Sequence, residues 1–203
     1  MRIVLLLMIV SFSALAQTDK LVDPRDGKEY KVVQIGTQVW MAENMSYKIK
    51  FKETYNTKIK NDYDNFYCYD FEDSSCLKYG ALYDWDAAQK VCPVGWHLPS
   101  KEEYDILTNT VGEGEKDIAF KSLIQGGSFG FEGLFAGYYG EKFLGMGLQG
   151  IFWTSTESPY NGAIPFTLSK YFNVAMTSVT PKKTEGTIKK YYLSVRCIKD
   201  TTP

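Results

Sequence analysis

The residues of this chain that could carry chemistry are four cysteines and a single histidine. These residue types supply zinc ligands and the nucleophile–base pairs of many hydrolases. Cys68, Cys76, Cys92 and Cys197 contain no Cys-x-x-Cys spacing, and any Cys–His or Ser–His pair would depend on His97 alone. The pattern disfavours zinc and favours a structural role for His97 over that of a general base. We find no catalytic constellation, and we expect a protein that is not an enzyme and uses no cofactor.

The even number of cysteines indicates disulfides, provided that the chain is exported. Four cysteines allow three pairings. The simplest pairing joins Cys68 to Cys76 and Cys92 to Cys197. The chain-entropy model assigns roughly 2.6 kcal/mol to the short loop and roughly 4.8 kcal/mol to the long one.

The start of the sequence predicts export. Arg2 precedes an apolar run at residues 3–10, and Ala14-Leu15-Ala16 has the small-residue spacing of a signal peptidase site. We expect a signal peptide at 1–16, a polar leader at 17–22 and one domain at 23–200, in the periplasm, on the outer surface or secreted. The apolar run is short for a membrane span, so no stable span should remain after cleavage, and an uncleaved anchor is the alternative.

The composition of the chain indicates which classes of partner are unfavoured. A formal net charge of −1 gives no basis for binding nucleic acid or an anionic membrane surface. Aromatic residues reach 15%, which favours a β-rich core with aromatic platforms.

The local patterns predict an α+β protein. Ser100 can cap a helix at 100–111, with Glu103 completing a capping box. A second amphipathic helix is predicted at 81–91, and residues 30–35 and 38–41 read as a β-hairpin. Residues 66–78 read as a small disulfide-closed loop whose acidic residues lack the spacing of an EF-hand calcium loop. Residues 112–150 are rich in glycine and predict short strands and tight loops. The strands predicted later lie at 134–139, 151–156, 163–169, 171–177 and 191–198.

Several segments resemble the Fibrobacter succinogenes major paralogous domain family. They are Asp26-Gly27 through Glu43-Asn44, Tyr79 through Ala88, Cys92-Pro-Val-Gly-Trp96-His-Leu-Pro99-Ser, Phe152-Trp-Thr-Ser155-Thr-Glu157-Ser158 and Ser194-Val-Arg196-Cys197. They occur in the expected order over about residues 23–200.

The resemblance implies a C-type lectin-like fold, with two helices packed on a twisted antiparallel sheet and an N-terminal β-hairpin. It also implies the long disulfide between the first helix region and the last strand. Members are surface or secreted proteins of bacteria such as Bacteroidetes, and the family carries no catalytic residues onto this chain.

Two departures from the wider fold bear on function. The Glu-Pro-Asn, Gln-Pro-Asp and Trp-Asn-Asp motifs of calcium-dependent lectins are missing, and the nearest match is Trp153-Thr154-Ser155. We therefore expect no metal site and no calcium-dependent sugar binding. A formylglycine-generating-enzyme-like oxidase would need a cysteine pair set for redox or copper chemistry, whereas Cys92 and Cys197 fit a structural bridge.

We therefore expect a non-catalytic exported module for binding or adhesion that recognises a glycan or a surface protein. A structural envelope protein without a small ligand is the alternative. By analogy with the fold, the ligand loops are 141–150, 158–163 and 178–190. Their candidate ligand residues are Tyr160, Asn161, Lys182, Lys183, Lys189 and Lys190. The lysine-rich loop could attract an acidic partner, but its pattern favours a solvated turn between two strands.

Overall fold

A computed structural model of the protein describes residues 20–49, 65–159, 162–176 and 190–201. The predicted signal peptide and the candidate residues Tyr160, Asn161, Lys182, Lys183 and Lys189 lie outside these ranges. Within them, the protein is α+β, with short helices and curled, mainly antiparallel sheets.

Most of the described regular structure is β-strand, as the aromatic-rich composition predicts. The strands are β1 Lys20–Val22, β2 Glu29–Ile35, β3 Gln38–Met41, β4 Phe66–Tyr67, β5 Leu82–Tyr83, β6 Trp96–His97, β7 Ala136–Tyr139, β8 Phe143–Met146, β9 Gln149–Phe152, β10 Glu157–Ser158, β11 Gly162–Ala163, β12 Phe166–Ser169, β13 Asn173–Met176, β14 Leu193–Ser194 and β15 Ile198–Lys199.

The smaller sheet has the order β1-β2-β3-β15-β6. Its first part is the hairpin predicted at 30–35 and 38–41, which the structure confirms with Val33 opposite Trp40. Tyr30 and Val32 of β2 are buried between exposed Glu29 and Lys31, because successive side chains of a strand point to opposite faces. The predicted leader at 17–22 extends into this sheet, since residues 20–22 form β1.

The larger sheet has the order β13-β12-β9-β14-β5-β4, and β7 joins it beside β9 and carries β8. Its pairings are antiparallel except that β14 and β7 each run parallel to β9. The segment predicted as one strand at 191–198 is divided into β14 and β15. Between them, residues 195–197 carry the chain from the larger sheet to the smaller one.

The helices are α1 Asp73–Tyr79, α2 Trp85–Ala88, α3 Lys101–Gly112 and α4 Lys116–Leu123, with a 3-10 turn at Tyr69–Phe71. The helix predicted at 100–111 is confirmed as α3. Ser100 Oγ accepts from the Glu103 amide at 3.1 Å, and Glu103 Oε2 accepts from the Ser100 amide at 2.7 Å. The predicted capping box is therefore present.

The helix predicted at 81–91 is wrong in extent, because only residues 85–88 are helical. Leu82 and Tyr83 form β5, which pairs with β14 on one side and β4 on the other, so the helix begins only after them. The Asp84 carboxylate then accepts from the Ala87 amide at 2.7 Å and caps the short helix.

Two helices were not predicted. Helix α1 overlaps the segment at 66–78 that was predicted as a disulfide-closed loop and ends just beyond it, and α4 lies in the glycine-rich region. Gly112 is the last residue of α3, and a Cβ there would lie 2.7 Å from Ala119 Cβ of α4. Glycine thus permits the close contact of the two longest helices.

The buried side chains form two clusters. One surrounds Trp153, whose indole donates to the Tyr83 carbonyl at 2.7 Å. The other includes Trp40 and the stacked pair Tyr104–Phe166, with ring centroids 4.2 Å apart. Both disulfides, Cys68–Cys76 and Cys92–Cys197, are those predicted as the simplest pairing.

Candidate functional site

An exposed phenylalanine on an unusual turn is the most distinctive surface feature of the described chain. Phe71 ends the 3-10 turn at Tyr69–Phe71, and its side chain is 67% exposed. Asp70 has φ 54° and Phe71 has φ 60°, both in the left-handed region. That conformation costs an L-residue roughly 1–2 kcal/mol. The Cys68–Cys76 disulfide closes the segment that contains this turn and restrains it.

Phe71 belongs to a cluster of half-exposed rings that we call the aromatic face. The aromatic face consists of Tyr67, Tyr69, Phe71, Tyr139, Phe143 and Tyr192. Phe71 meets Tyr67 and Phe143 edge-to-face, with centroids 5.5 and 4.9 Å apart. Tyr139 lies 4.8 Å from Tyr67 and 4.7 Å from Phe143. Edge-to-face packing joins the rings into one unit and leaves part of their surface open to solvent.

Three separate parts of the chain supply these rings. Tyr67 comes from edge strand β4, Tyr139 and Phe143 come from the hairpin of β7 and β8, and Tyr192 precedes β14. The Tyr139 and Tyr192 backbones exchange hydrogen bonds of 3.1 and 2.8 Å, which fixes the relation between two of the three parts. The β-ladder thus preorganises the face.

A glycine makes room at one border of the face. A Cβ on Gly140 would lie 2.6 Å from the Tyr191 ring, so a larger residue would displace that ring. Tyr191 in turn contacts Tyr138 edge-to-face at 5.8 Å. Gly140 therefore lets the turn between β7 and β8 approach Tyr191 closely.

Two tyrosines of the face, Tyr69 and Tyr192, remain protonated at neutral pH. Burial raises the pKa of Tyr192, and the hydroxyl of Tyr67, hydrogen-bonded to it, raises that pKa further. Burial also raises the pKa of Tyr69. The face therefore combines ring carbons with neutral hydroxyl groups. The exposed charged residues next to it in sequence carry both signs and are Asp70, Glu72, Glu141, Lys142 and Lys190.

Two of the three predicted ligand loops lie at or next to the aromatic face in sequence. Segment 141–150 is not a loop throughout, because residues 143–146 form β8, which contributes Phe143. Lys190 is exposed and lies two residues before Tyr192. In segment 158–163, Ser158 pairs with Gly162 in a small separate hairpin. The other candidate residues lie outside the described part of the chain.

The single histidine is engaged on both sides. His97 Nδ1 lies 2.6 Å from Asp200 Oδ1, and Nε2 lies 2.8 Å from Glu103 Oε1. The described cysteines are all in disulfides. Among the described residues no group of three or more histidine, cysteine or acidic side chains is arranged to hold a metal ion.

A groove of about 820 Å³ lies elsewhere, between β2, residues 125–134 and the end of α1. Its size suits a small ligand. Lys31 and Glu43 line it together with the exposed side chains of Leu77 and Phe129. This mixed lining selects no single ligand chemistry, so the aromatic face is the stronger candidate site.

The sequence predicted segments that border the aromatic face but did not predict that its rings come together. Tyr67, Tyr69 and Phe71 were assigned to a disulfide-closed loop, and Tyr139 to a strand. A run of aromatic residues between two cysteines was the available signal. Their convergence depends on the pairing of distant strands, which no local pattern reveals.

Comparison with known proteins identifies one family. The model of the Fibrobacter succinogenes major domain matches residues 33–199, which is most of the chain. No curated protein and no solved structure matches the chain. Across the described residues, no helix combines the length and the apolar character needed to cross a bilayer.

Proposed function

The chain belongs to the Fibrobacter succinogenes major domain family, and from the geometry of its aromatic face we propose that it is an exported, non-catalytic module that binds a glycan at the bacterial cell surface. The observation that carries this proposal is Phe71, an exposed ring on a left-handed backbone restrained by a disulfide. We further propose that the two sheets and the Cys92–Cys197 bridge belong to a C-type lectin-like fold.

The energetic cost of the Phe71 turn supports a role in binding. Phe71 in the left-handed region costs of the order of 1–2 kcal/mol, whereas Asp70 beside it is a residue type that tolerates this conformation. Keeping a phenylalanine in water also forgoes roughly 2 kcal/mol of burial. Strained residues of this kind concentrate at binding and catalytic sites. A turn that served only to connect β4 with α1 could avoid both the backbone strain and the exposure of the Phe71 ring.

The chemistry of the face favours a glycan. A pyranose ring has one face of C–H groups, which packs on the electron-rich face of an aromatic ring, and a rim of hydroxyl groups. Neutral tyrosine hydroxyls and exposed side chains of both charges can donate to and accept from such a rim.

Export is consistent with both disulfides, which persist in oxidising compartments. The non-catalytic assignment is supported by the state of the reactive side chains. The described cysteines are oxidised in pairs, and both ring nitrogens of His97 are engaged with carboxylates. A formylglycine-generating-enzyme-like oxidase would require Cys92 and Cys197 to leave their bridge.

The test is binding to an array of bacterial and host glycans by three proteins. These are the wild type, Phe71→Ala and Tyr171→Ala. Tyr171 is a matched control, because it is 70% exposed and lies next to β13, at the opposite edge of the larger sheet from β4. We expect Phe71→Ala to weaken binding to the selected glycan about tenfold, which is about 1.4 kcal/mol. Tyr171→Ala should bind as the wild type does.

Other outcomes separate the alternatives. If the wild type binds no glycan but captures a surface protein through Phe71, the ligand is a protein and not a glycan. A protein that binds neither, but whose loss weakens the envelope, would support the structural alternative. Equal affinity of the two variants would reject the aromatic face as the site.

A further inference from the structure

The ring of His97 joins three elements of the fold. His97 lies in β6 at the edge of the smaller sheet and pairs with Ile198 of β15. Its Nε2 reaches Glu103 in the first turn of α3 at 2.8 Å, and its Nδ1 reaches Asp200, just after β15, at 2.6 Å. One side chain thus connects β6, α3 and the end of β15.

This geometry requires a particular protonation state. A carboxylate can only accept hydrogen bonds, and a neutral imidazole carries a single N–H. With both carboxylates ionised, only the imidazolium form can donate to Glu103 and Asp200 together. After loss of the proton, one ring nitrogen presents a lone pair to a carboxylate oxygen, and that contact becomes repulsive.

The two contacts differ in how firmly they are held. Glu103 is fixed by the capping box, since its other oxygen accepts from the Ser100 amide at 2.7 Å, and its side chain is 26% exposed. The Asp200 side chain is 53% exposed, and within the described part of the chain its carboxylate has no comparable second hydrogen bond. When His97 loses its proton, the contact that breaks is therefore the one to Asp200.

The charged groups around the ring agree with this assignment. Glu103 from α3 and Asp200 from the end of β15 face it. Its partner in β15, Ile198, brings no charge, and the charged residue that follows, Lys199, pairs with Trp96 rather than with His97. Burial acts to lower the pKa of His97, but hydrogen bonds to Asp200 and Glu103 outweigh burial and raise that pKa above its ordinary value. The latch is therefore closed in mild acid.

We propose that His97, Glu103 and Asp200 form a pH-controlled latch that ties the end of β15 to α3 and releases Asp200 when the imidazole loses its proton. The stabilisation is fully present below the pKa of an unfolded histidine and is lost as pH rises through the folded-state pKa. Because the sequence contains one histidine, its side-chain titration near neutral pH is assigned to this latch.

NMR titration of the whole protein tests the latch. We expect the Asp200 amide signal to shift with the same midpoint as the His97 ring, above the ordinary value of about 6.5. In His97→Gln the shift of Asp200 should disappear. In Asp200→Asn the midpoint of His97 should move down.

Glu102→Gln is the matched control, because Glu102 lies in the same helical turn but contacts Thr156 rather than His97. It should leave the His97 midpoint close to that of the wild type. The latch is rejected by an Asp200 signal that stays constant through the His97 titration. It is also rejected if Asp200→Asn shifts the midpoint no more than Glu102→Gln does.

Discussion

The guanidinium of Arg196 donates to the side-chain oxygen of Asn44 from both Nε and Nη2, at 3.1 and 2.5 Å, across 152 residues of sequence. Arg196 is fully buried and also donates to the carbonyls of Phe131 and Glu132. Burial lowers the pKa of Arg196 to about 10, so the group is charged at neutral pH. One buried cation, held by neutral oxygens, therefore links the crossing at 195–197, the chain after β3 and residues 131–132.

Replacing Arg196 by methionine tests this link. The change should lower the free energy of unfolding by roughly 3–5 kcal/mol, because several buried oxygens lose their donors. Chemical denaturation of the purified variant measures the loss. Lys31→Met is the control, since Lys31 is exposed and its change should stay within about 0.5 kcal/mol. A loss below about 1 kcal/mol for Arg196→Met would contradict the structural role of the network.

The two disulfides should differ in their contribution to stability. Cys92–Cys197 spans a sequence separation of 105, and Cys68–Cys76 spans 8. A longer loop loses more entropy on closure in the unfolded chain, so we expect Cys197→Ser to lower the melting temperature far more than Cys76→Ser. Calorimetry under non-reducing conditions compares the two variants, and similar melting temperatures would defeat the prediction.

The C-terminal end of α3 offers a stabilising substitution. Glu113 follows the helix with φ 50° and ψ 33°, a conformation that glycine adopts without a steric penalty. Glu113→Gly should therefore raise the free energy of unfolding by about 0.5–1 kcal/mol. Glu115→Gly is the control, because Glu115 has φ −100° and gains nothing from glycine. Urea titrations that find Glu113→Gly no more stable than Glu115→Gly would refute the prediction.

The Asp23–Arg25 pair predicts a defined response to acid. Asp23 is buried and accepts from Arg25 Nε at 2.8 Å and Nη2 at 2.6 Å. Burial acts to raise the pKa of Asp23, but the hydrogen bonds and charge of Arg25 lower it below the ordinary 3.8. The pair therefore stabilises the fold fully above the unfolded-state pKa, and this stabilisation is lost as pH falls through the lower folded-state pKa.

We therefore expect Asp23→Asn to destabilise the protein by about 1–3 kcal/mol at pH 7 and by progressively less below pH 4. Denaturation at several pH values measures the difference between variant and wild type. Glu29→Gln removes the exposed pair with Lys20 and should have little effect at any pH. A penalty for Asp23→Asn that stays constant down to pH 2 would show that the charge of Asp23 is not the cause.

The parts of the fold that could be predicted are those that depend on residues close together in the sequence. Ser100 and Glu103 lie three residues apart and cap each other, so α3 was found. The hairpin at 30–41 has a two-residue turn with Gly36 at φ 59°, and it was found too. Leu82 and Tyr83 were assigned to a helix because the strand partners that hold them, β4 and β14, lie elsewhere in the chain.

The candidate site shows the same division. The cysteine spacing around Phe71 was visible in the sequence, but neither the left-handed turn nor the contact of Tyr67 with Tyr192 was. That contact, with ring centroids 4.5 Å apart, joins residues from opposite halves of the chain. Likewise Arg196 was noticed only within a family motif, since a buried arginine bound to Asn44 has no local signature.

Chemical-shift mapping with the glycan selected on the array tests most directly whether the aromatic face binds the ligand. The largest shifts should fall on Tyr67, Phe71, Tyr139, Phe143 and Tyr192. In Phe71→Ala the shifts of the other four should need about tenfold more glycan to reach the same size. Large shifts confined to the groove around Leu77 and Phe129, or to residues 182–190, with the aromatic face unchanged, would contradict this assignment.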